Sequence, residues 1–165
     1  MKSLLFQRGA WIYAAAGQAN QVAWALGQAN ESLAGPVHMA GPDWANWTHN
    51  ATELEIMTGR CWAELHRPMR AIPTLESAMS RYDDSHARDK ALYLSWLAES
   101  YVDAGEIEHA AATLSRALDL SANVSSQRPR QRFNTVFGRL EPHRAVSQVS
   151  ELFARRPLHP IQIGR

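Results

Sequence analysis

The stretch Leu94-Ser95-Trp96-Leu97-Ala98-Glu99-Ser100-Tyr101-Val102-Asp103-Ala104-Gly105-Glu106 sets Leu94, Leu97, Ala98 and Tyr101 at i, i+3, i+4 and i+7, one stripe of a helix. Ala110, Leu114, Ala117 and Leu118 make a second stripe. Gly105 lies between the two, where its tolerance of positive φ ends one helix and turns the chain back. This is a helical hairpin. At an offset of 39 residues the same small and apolar positions recur, with Gly59, Trp62, Ala71, Thr74, Leu75 and Ala78 matching Ala98, Tyr101, Ala110, Thr113, Leu114 and Ala117. A further 49 residues back, Ala10, Tyr13, Leu26 and Ala29 align with Gly59, Trp62, Leu75 and Ala78.

A small residue followed three positions later by an aromatic, then Ala, Leu and Ala on the next helix, is the pattern of a tetratricopeptide hairpin. The expected fold is therefore all-α: one domain built as a TPR-like array of about four antiparallel helical hairpins, an α-solenoid. The hairpins fall at about residues 3–34, 52–82, 85–122 and 126–155, with a turn-rich link over 36–50. Such hairpins bury their apolar faces only by stacking, and the surface they make usually holds another molecule. Pro68 suits the first turn of its helix, whereas Pro73 lies deeper and predicts a bend. Asp84 or Ser85 is placed to cap the third hairpin. In the link, Trp44 and Trp47 fit packing across neighbouring helices, with a ligand lid as the alternative. The last pair reads as a terminal cap, and Pro157-Leu158-His159-Pro160 as an extended tail. The first helix opens on Leu4, Leu5 and Ile12 with no polar capping helix before it, so upstream sequence or another chain is expected over this end. Leu4, Leu5 and Trp11 predict a self-contact, a homodimer or end-to-end packing.

Seventeen basic against sixteen acidic side chains leave a formal charge of +1, which excludes a strong overall field toward nucleic acid or anionic membrane. The sole cysteine, Cys61, rules out an intramolecular disulfide. With no clear signal peptide, a cytoplasmic location is expected and the sequons at Asn46, Asn50 and Asn123 are read as accidental. Charged or amide side chains interrupt every apolar run before the roughly 20 residues that span a bilayer, so no membrane partner is expected.

Two segments, Glu53-Leu54-Glu55-Ile56-Met57-Thr58-Gly59-Arg60-Cys61-Trp62-Ala63-Glu64-Leu65 and Ala91 through Glu106, carry a further likeness. The chain resembles the C-terminal tetratricopeptide-like region of actinobacterial XRE-type helix-turn-helix transcriptional regulators. The resemblance runs from about Trp44 to Leu152 and includes Ser125-Ser126-Gln127-Arg128-Pro129-Arg130-Gln131-Arg132-Phe133. It implies a regulatory or dimerisation module. No pair of short helices joined by a glycine turn precedes residue 40, so contact with DNA is expected only through a domain not in this chain. The alternative is a stand-alone TPR scaffold unrelated to transcription.

In a tetratricopeptide array the first helices line the concave face, and counting from Thr52 and Ala91 draws a ligand groove with Glu53, Arg60, Glu64, Ser95, Glu99 and Asp103. Trp11 borders it as an aromatic anchor, and Arg130 or Arg132 as a carboxylate-binding end. The expected partner is a protein, a peptide or a small effector. The bland alternative is that these charges are solvated helix residues. Arg128, Arg130 and Arg132, with Arg139 and Arg144, are dense enough to meet phosphates, but they spread around a helix without aromatic interleaving. Catalysis is not expected. Cys61 and His66 lie about 140° apart around one helix, the histidines make no zinc-type spacing, and no phosphate-cradling loop or nucleophile elbow occurs. No cofactor or metal is implied.

Overall fold

The computed structural model describes residues 2–34, 51–122 and 127–155. All secondary structure among these residues is helical. Eight α-helices follow in order: α1 (Lys2–Ala15), α2 (Ala19–Ala34), α3 (Ala51–Glu64), α4 (Pro68–Arg81), α5 (Ala87–Asp103), α6 (Ile107–Ser121), α7 (Gln127–Leu140) and α8 (Ser147–Ala154). Short 3₁₀ turns at Asp84–His86 and Glu141–His143 precede α5 and α8. The link over 36–50, with Trp44 and Trp47, and the tail beyond Arg155 lie outside the described residues.

Three of the turns between helices are built alike. In α1–α2 the Gly17 N–H reaches the Ala14 carbonyl and the Gln18 N–H that of Tyr13. His66 and Arg67 repeat this on Ala63 and Trp62, and Gly105 and Glu106 on Val102 and Tyr101. Each is a Schellman closure, which needs one residue in the left-handed region. Gly17 (φ 72°) and Gly105 (φ 78°) take it without strain, and His66 (φ 51°) takes it against the crowding of its own Cβ. Such tight turns make α1–α2, α3–α4 and α5–α6 antiparallel pairs.

The pairs lie side by side: α1, α3, α5 and α7 contact one another in sequence, and α4 and α6 lean on the pair that follows each. The last two helices depart from the expected hairpin. Helix α7 packs mainly on α5 and α8 mainly on α6, with Phe137 and Phe153 meeting edge to face at 5.1 Å. Small residues make close packing possible, since Ala10, Ala29, Ala71, Ala78, Ala98, Ala110 and Ala117 are all fully buried. Leu75 and Leu114, the equivalent residues of their hairpins, are buried to the same degree. At Gly59 the fit is closest, because a Cβ there would stand 2.5 Å from Leu75 Cγ.

Two local expectations meet specific outcomes. Helix α4 starts at Pro68 and runs through Pro73 without interruption, at the loss of one main-chain hydrogen bond. The cap before the third pair is Asp83, one residue earlier than read from the sequence, and its carboxylate accepts the Ser85 N–H at 2.7 Å. Lys90 explains the shift. Its buried ammonium donates to the Tyr82 carbonyl at 2.6 Å and to Asp84 Oδ1 at 2.5 Å, so Asp84 is turned to the lysine.

The inner row of α1, α3, α5 and α7

Trp11, Arg60 and Glu99 occupy one equivalent position in three successive pairs, and the packing of α1, α3 and α5 brings them into a row that Arg132 of α7 extends. The Arg60 guanidinium lies 4.8 Å from the centroid of the Trp11 ring, 5.6 Å from Trp96 and 5.8 Å from Tyr93. Trp11 and Trp96 meet edge to face at 5.2 Å. Arg132 also stacks on Trp96, at 3.5 Å. Two cations thus share one indole, and the electron-rich faces of the rings stabilise each of them.

The two arginines are compensated differently. Arg132 is paired with Glu99, whose side chain is only 10 % exposed. Arg139 of α7 reaches Asp103 at 2.6 Å and Glu99 at 3.7 Å, and His66 meets Asp103 at 2.9 Å. For Arg60, by contrast, no carboxylate lies within ion-pair distance among the described residues; its buried Nε, like that of Arg132, has no hydrogen-bond partner among them. Burial holds its guanidinium below the usual arginine range, and Arg132 adds to that depression. Burial raises Glu53 above the usual carboxylate range; Asp89 reinforces this, and Arg60 opposes it. The Tyr93 hydroxyl is pushed up to about 12, chiefly by burial.

The residues expected in the groove do not all come together. Trp11, Arg60, Glu99 and Arg132 are in the row, with Glu53 two turns before Arg60 on α3. Glu99 and Asp103 point into the α5–α7 contact, where α7 supplies a guanidinium to each carboxylate. Ser95 is fully buried and donates to the Leu92 carbonyl at 2.5 Å, which takes it out of reach of a guest. Glu64 is half-buried at the end of α3, and Arg130 is exposed on α7, two residues and hence about 200° around the helix from Arg132. Trp96, Tyr93 and Arg139 were missed. Tyr93, Trp96 and Glu99 stand at i, i+3 and i+6, a spacing that shares one helix face and was visible in the sequence.

The cysteine lies elsewhere. Cys61 is fully buried, burial pushes its thiol up to about 12, and His66 is held by Asp103. A thiol so placed is not a thiolate at neutral pH. Among the described residues no three His, Cys, Asp or Glu side chains form a group that could hold a metal ion, and no helix is long and apolar enough to cross a membrane. No family model, no curated protein and no solved structure matches this chain.

Proposed function

We propose that the chain is a TPR-type interaction module that takes an acidic peptide or protein segment along the row made by α1, α3, α5 and α7. The observation that carries this reading is Arg60, a half-buried cation seated among three aromatic rings with no carboxylate at ion-pair distance among the described residues. A guest carboxylate would complete the charge balance, and the low local polarity strengthens that contact over one in water. The repeated hairpins and the side-by-side packing of α1, α3, α5 and α7 support an array of tetratricopeptide type, with helix α8 as its polar end. The resemblance carried by Glu53–Leu65 and Ala91–Glu106 supports its use as the regulatory or dimerisation part of a transcriptional regulator, with DNA contact left to another domain. In this reading the module binds rather than catalyses.

Titration with a glutamate-rich decapeptide and with its glutamine-matched counterpart, followed by calorimetry, tests the reading. Binding of the acidic peptide alone, weakened at least tenfold by Arg60→Gln and by added salt, is the expected result. Equal affinity for the two peptides, or binding indifferent to Arg60→Gln, would remove it.

A further inference from the structure

The second helices of the pairs frame a cleft that the inner row does not use. Helix α4 packs on α5 and leaves an open space of about 380 Å³ toward the start of α6, a volume within the range of binding sites. Met69 and Ile72 of α4 form its apolar wall, and Met69 is 84 % exposed, the most of any large apolar side chain among the described residues. Glu76 of α4, Tyr101 of α5, Glu106 just before α6 and His109 of α6 complete the lining. The Tyr101 hydroxyl donates to the Glu76 carboxylate, His109 stacks on the tyrosine ring with centroids 5.4 Å apart, and Nδ1 of His109 meets Glu106 at 3.3 Å. Burial, and then Glu76 and Glu106, raise the Tyr101 hydroxyl above the usual phenol range, so both carboxylates act on one point.

Charge is left over in this cleft. Among the described residues no lysine or arginine lies within ion-pair distance of Glu76 or Glu106; their contacts are a neutral hydroxyl and an imidazole that is charged only when protonated. The helix starts at Pro68 and Ile107 offset roughly half a charge each, which leaves two carboxylates net negative by about one. The internal repeat shows how the surplus arose. At the offset of 39 residues Trp62 corresponds to Tyr101, and Arg67 and Arg70 correspond to Glu106 and His109. In the second pair the chain supplies its own cation, with the Arg70 guanidinium over the Trp62 ring at 4.7 Å. In the third pair the aromatic is kept, while one arginine is replaced by a carboxylate and the other by an imidazole.

We infer that the cleft receives an arginine side chain presented by a partner protein, its guanidinium held by Glu76 and Glu106 and its methylene stem laid on Met69 and Ile72. A flat guanidinium stacks on rings and pairs with carboxylates in a way that a lysine ammonium does not, and Arg70 on Trp62 displays that geometry within this chain. Its stem suits an apolar wall, and a methionine adapts to what lies against it. The source is a protein because an open cleft encloses too little of a free small molecule, whereas an anchored side chain brings neighbouring surface over Met69. The cleft belongs to α4 and α6, so it stands whether or not the inner row holds a guest.

Nuclear magnetic resonance titration of the isotope-labelled full chain with a short leucine-flanked arginine peptide, and with the same peptide carrying neutral citrulline, tests this. Saturable shifts of the Gly105 and His109 amides are expected with arginine, and association at least about fivefold weaker with citrulline. Glu76 and Glu106 are exposed, so Glu76→Gln and Glu106→Gln are each expected to weaken binding about threefold, and together about tenfold, at unchanged helical circular dichroism. If either variant loses helicity, Met69→Ser at its exposed position carries the same expectation of weaker binding. Arg60→Gln leaves the affinity unchanged, which separates this cleft from the peptide row. Equal affinity for arginine and citrulline, no saturable shift at millimolar peptide, or a folded double variant that binds as the native chain does would each overturn the inference. Propylguanidine bound as tightly as the peptide would overturn the assignment to a partner protein.

Discussion

Replacing Gly59 with alanine sets two effects against each other. In a helix interior the added methyl favours folding by about 1 kcal/mol, since glycine loses more backbone freedom than alanine. At this site, however, the new Cβ would stand 2.5 Å from Leu75 Cγ and 2.7 Å from Leu75 Cδ2, where carbon atoms normally keep about 3.5–4.0 Å. Leu75 is fully buried and its backbone nitrogen is also within 3.4 Å, so the leucine has no space to yield and α3 must move from α4. Overpacking of this kind costs about 1–3 kcal/mol; with Leu75 unable to yield, the upper part of that range, about 2–3 kcal/mol, applies and leaves a net loss of about 1–2 kcal/mol. For a chain of this size that is a fall in melting temperature of roughly 2–8 °C. Gly27 provides the control. It lies exposed in α2 with nothing within 4 Å of an added Cβ, so Gly27→Ala is expected to stabilise by about 0.5–1 kcal/mol. Urea unfolding of both variants, with Leu75→Ala alone and with Gly59→Ala, gives the coupling directly, expected at about 1 kcal/mol or more. If Gly59→Ala stabilised the chain as Gly27→Ala does, the close crossing of α3 and α4 would be wrong, and with it the equivalence of Gly59 to the buried Ala10 and Ala98.

Two further outcomes test separate parts of the structure. His66→Gly relieves the left-handed backbone at φ 51° and surrenders a hydrogen bond to Asp103 whose histidine side is 65 % exposed; a net gain of about 0.5–1 kcal/mol is expected in urea unfolding, and a clear loss would show that the contact with Asp103 dominates. Glu53 has a folded-state pKa above its unfolded value, so the stability linked to its proton is fully present below the unfolded carboxylate range and is lost as pH rises through the raised value. Glu53→Gln is therefore expected to melt higher than the native chain at pH 7, with the difference shrinking toward pH 4; a difference independent of pH would refute the burial of that carboxylate.

The hairpins were legible because their signal is local. Period, small residues at the crossings and Gly105 in its turn depend on residues a few places apart, and the same pattern recurring at offsets of 39 and 49 leaves little freedom in where the helices begin and end. Even so, the turn at His66 was hidden, since only comparison with Gly17 and Gly105 in space shows a histidine in a glycine conformation. Trp11, Arg60 and Glu99 could be aligned as equivalent positions from the sequence, yet alignment does not say which neighbour meets which. Glu99 and Asp103 resemble solvent-facing charges along their own helix, and they become buried ion-pair partners only because Arg132 and Arg139 approach from a helix some 30 residues later. Leu4, Leu5, Trp11 and Ile12 formed one apolar group in the sequence and belong to different faces in space.

What the order of residues determined by itself was the helical class, the pairing of successive helices and the turn at Gly105, because those follow from short-range sterics and from the spacing of apolar side chains. Which carboxylates are neutralised within the chain, which arginine is seated among aromatic rings and which apolar face stays open were decided by tertiary packing, since charge compensation and burial depend on atoms that only the folded chain brings within a few ångströms.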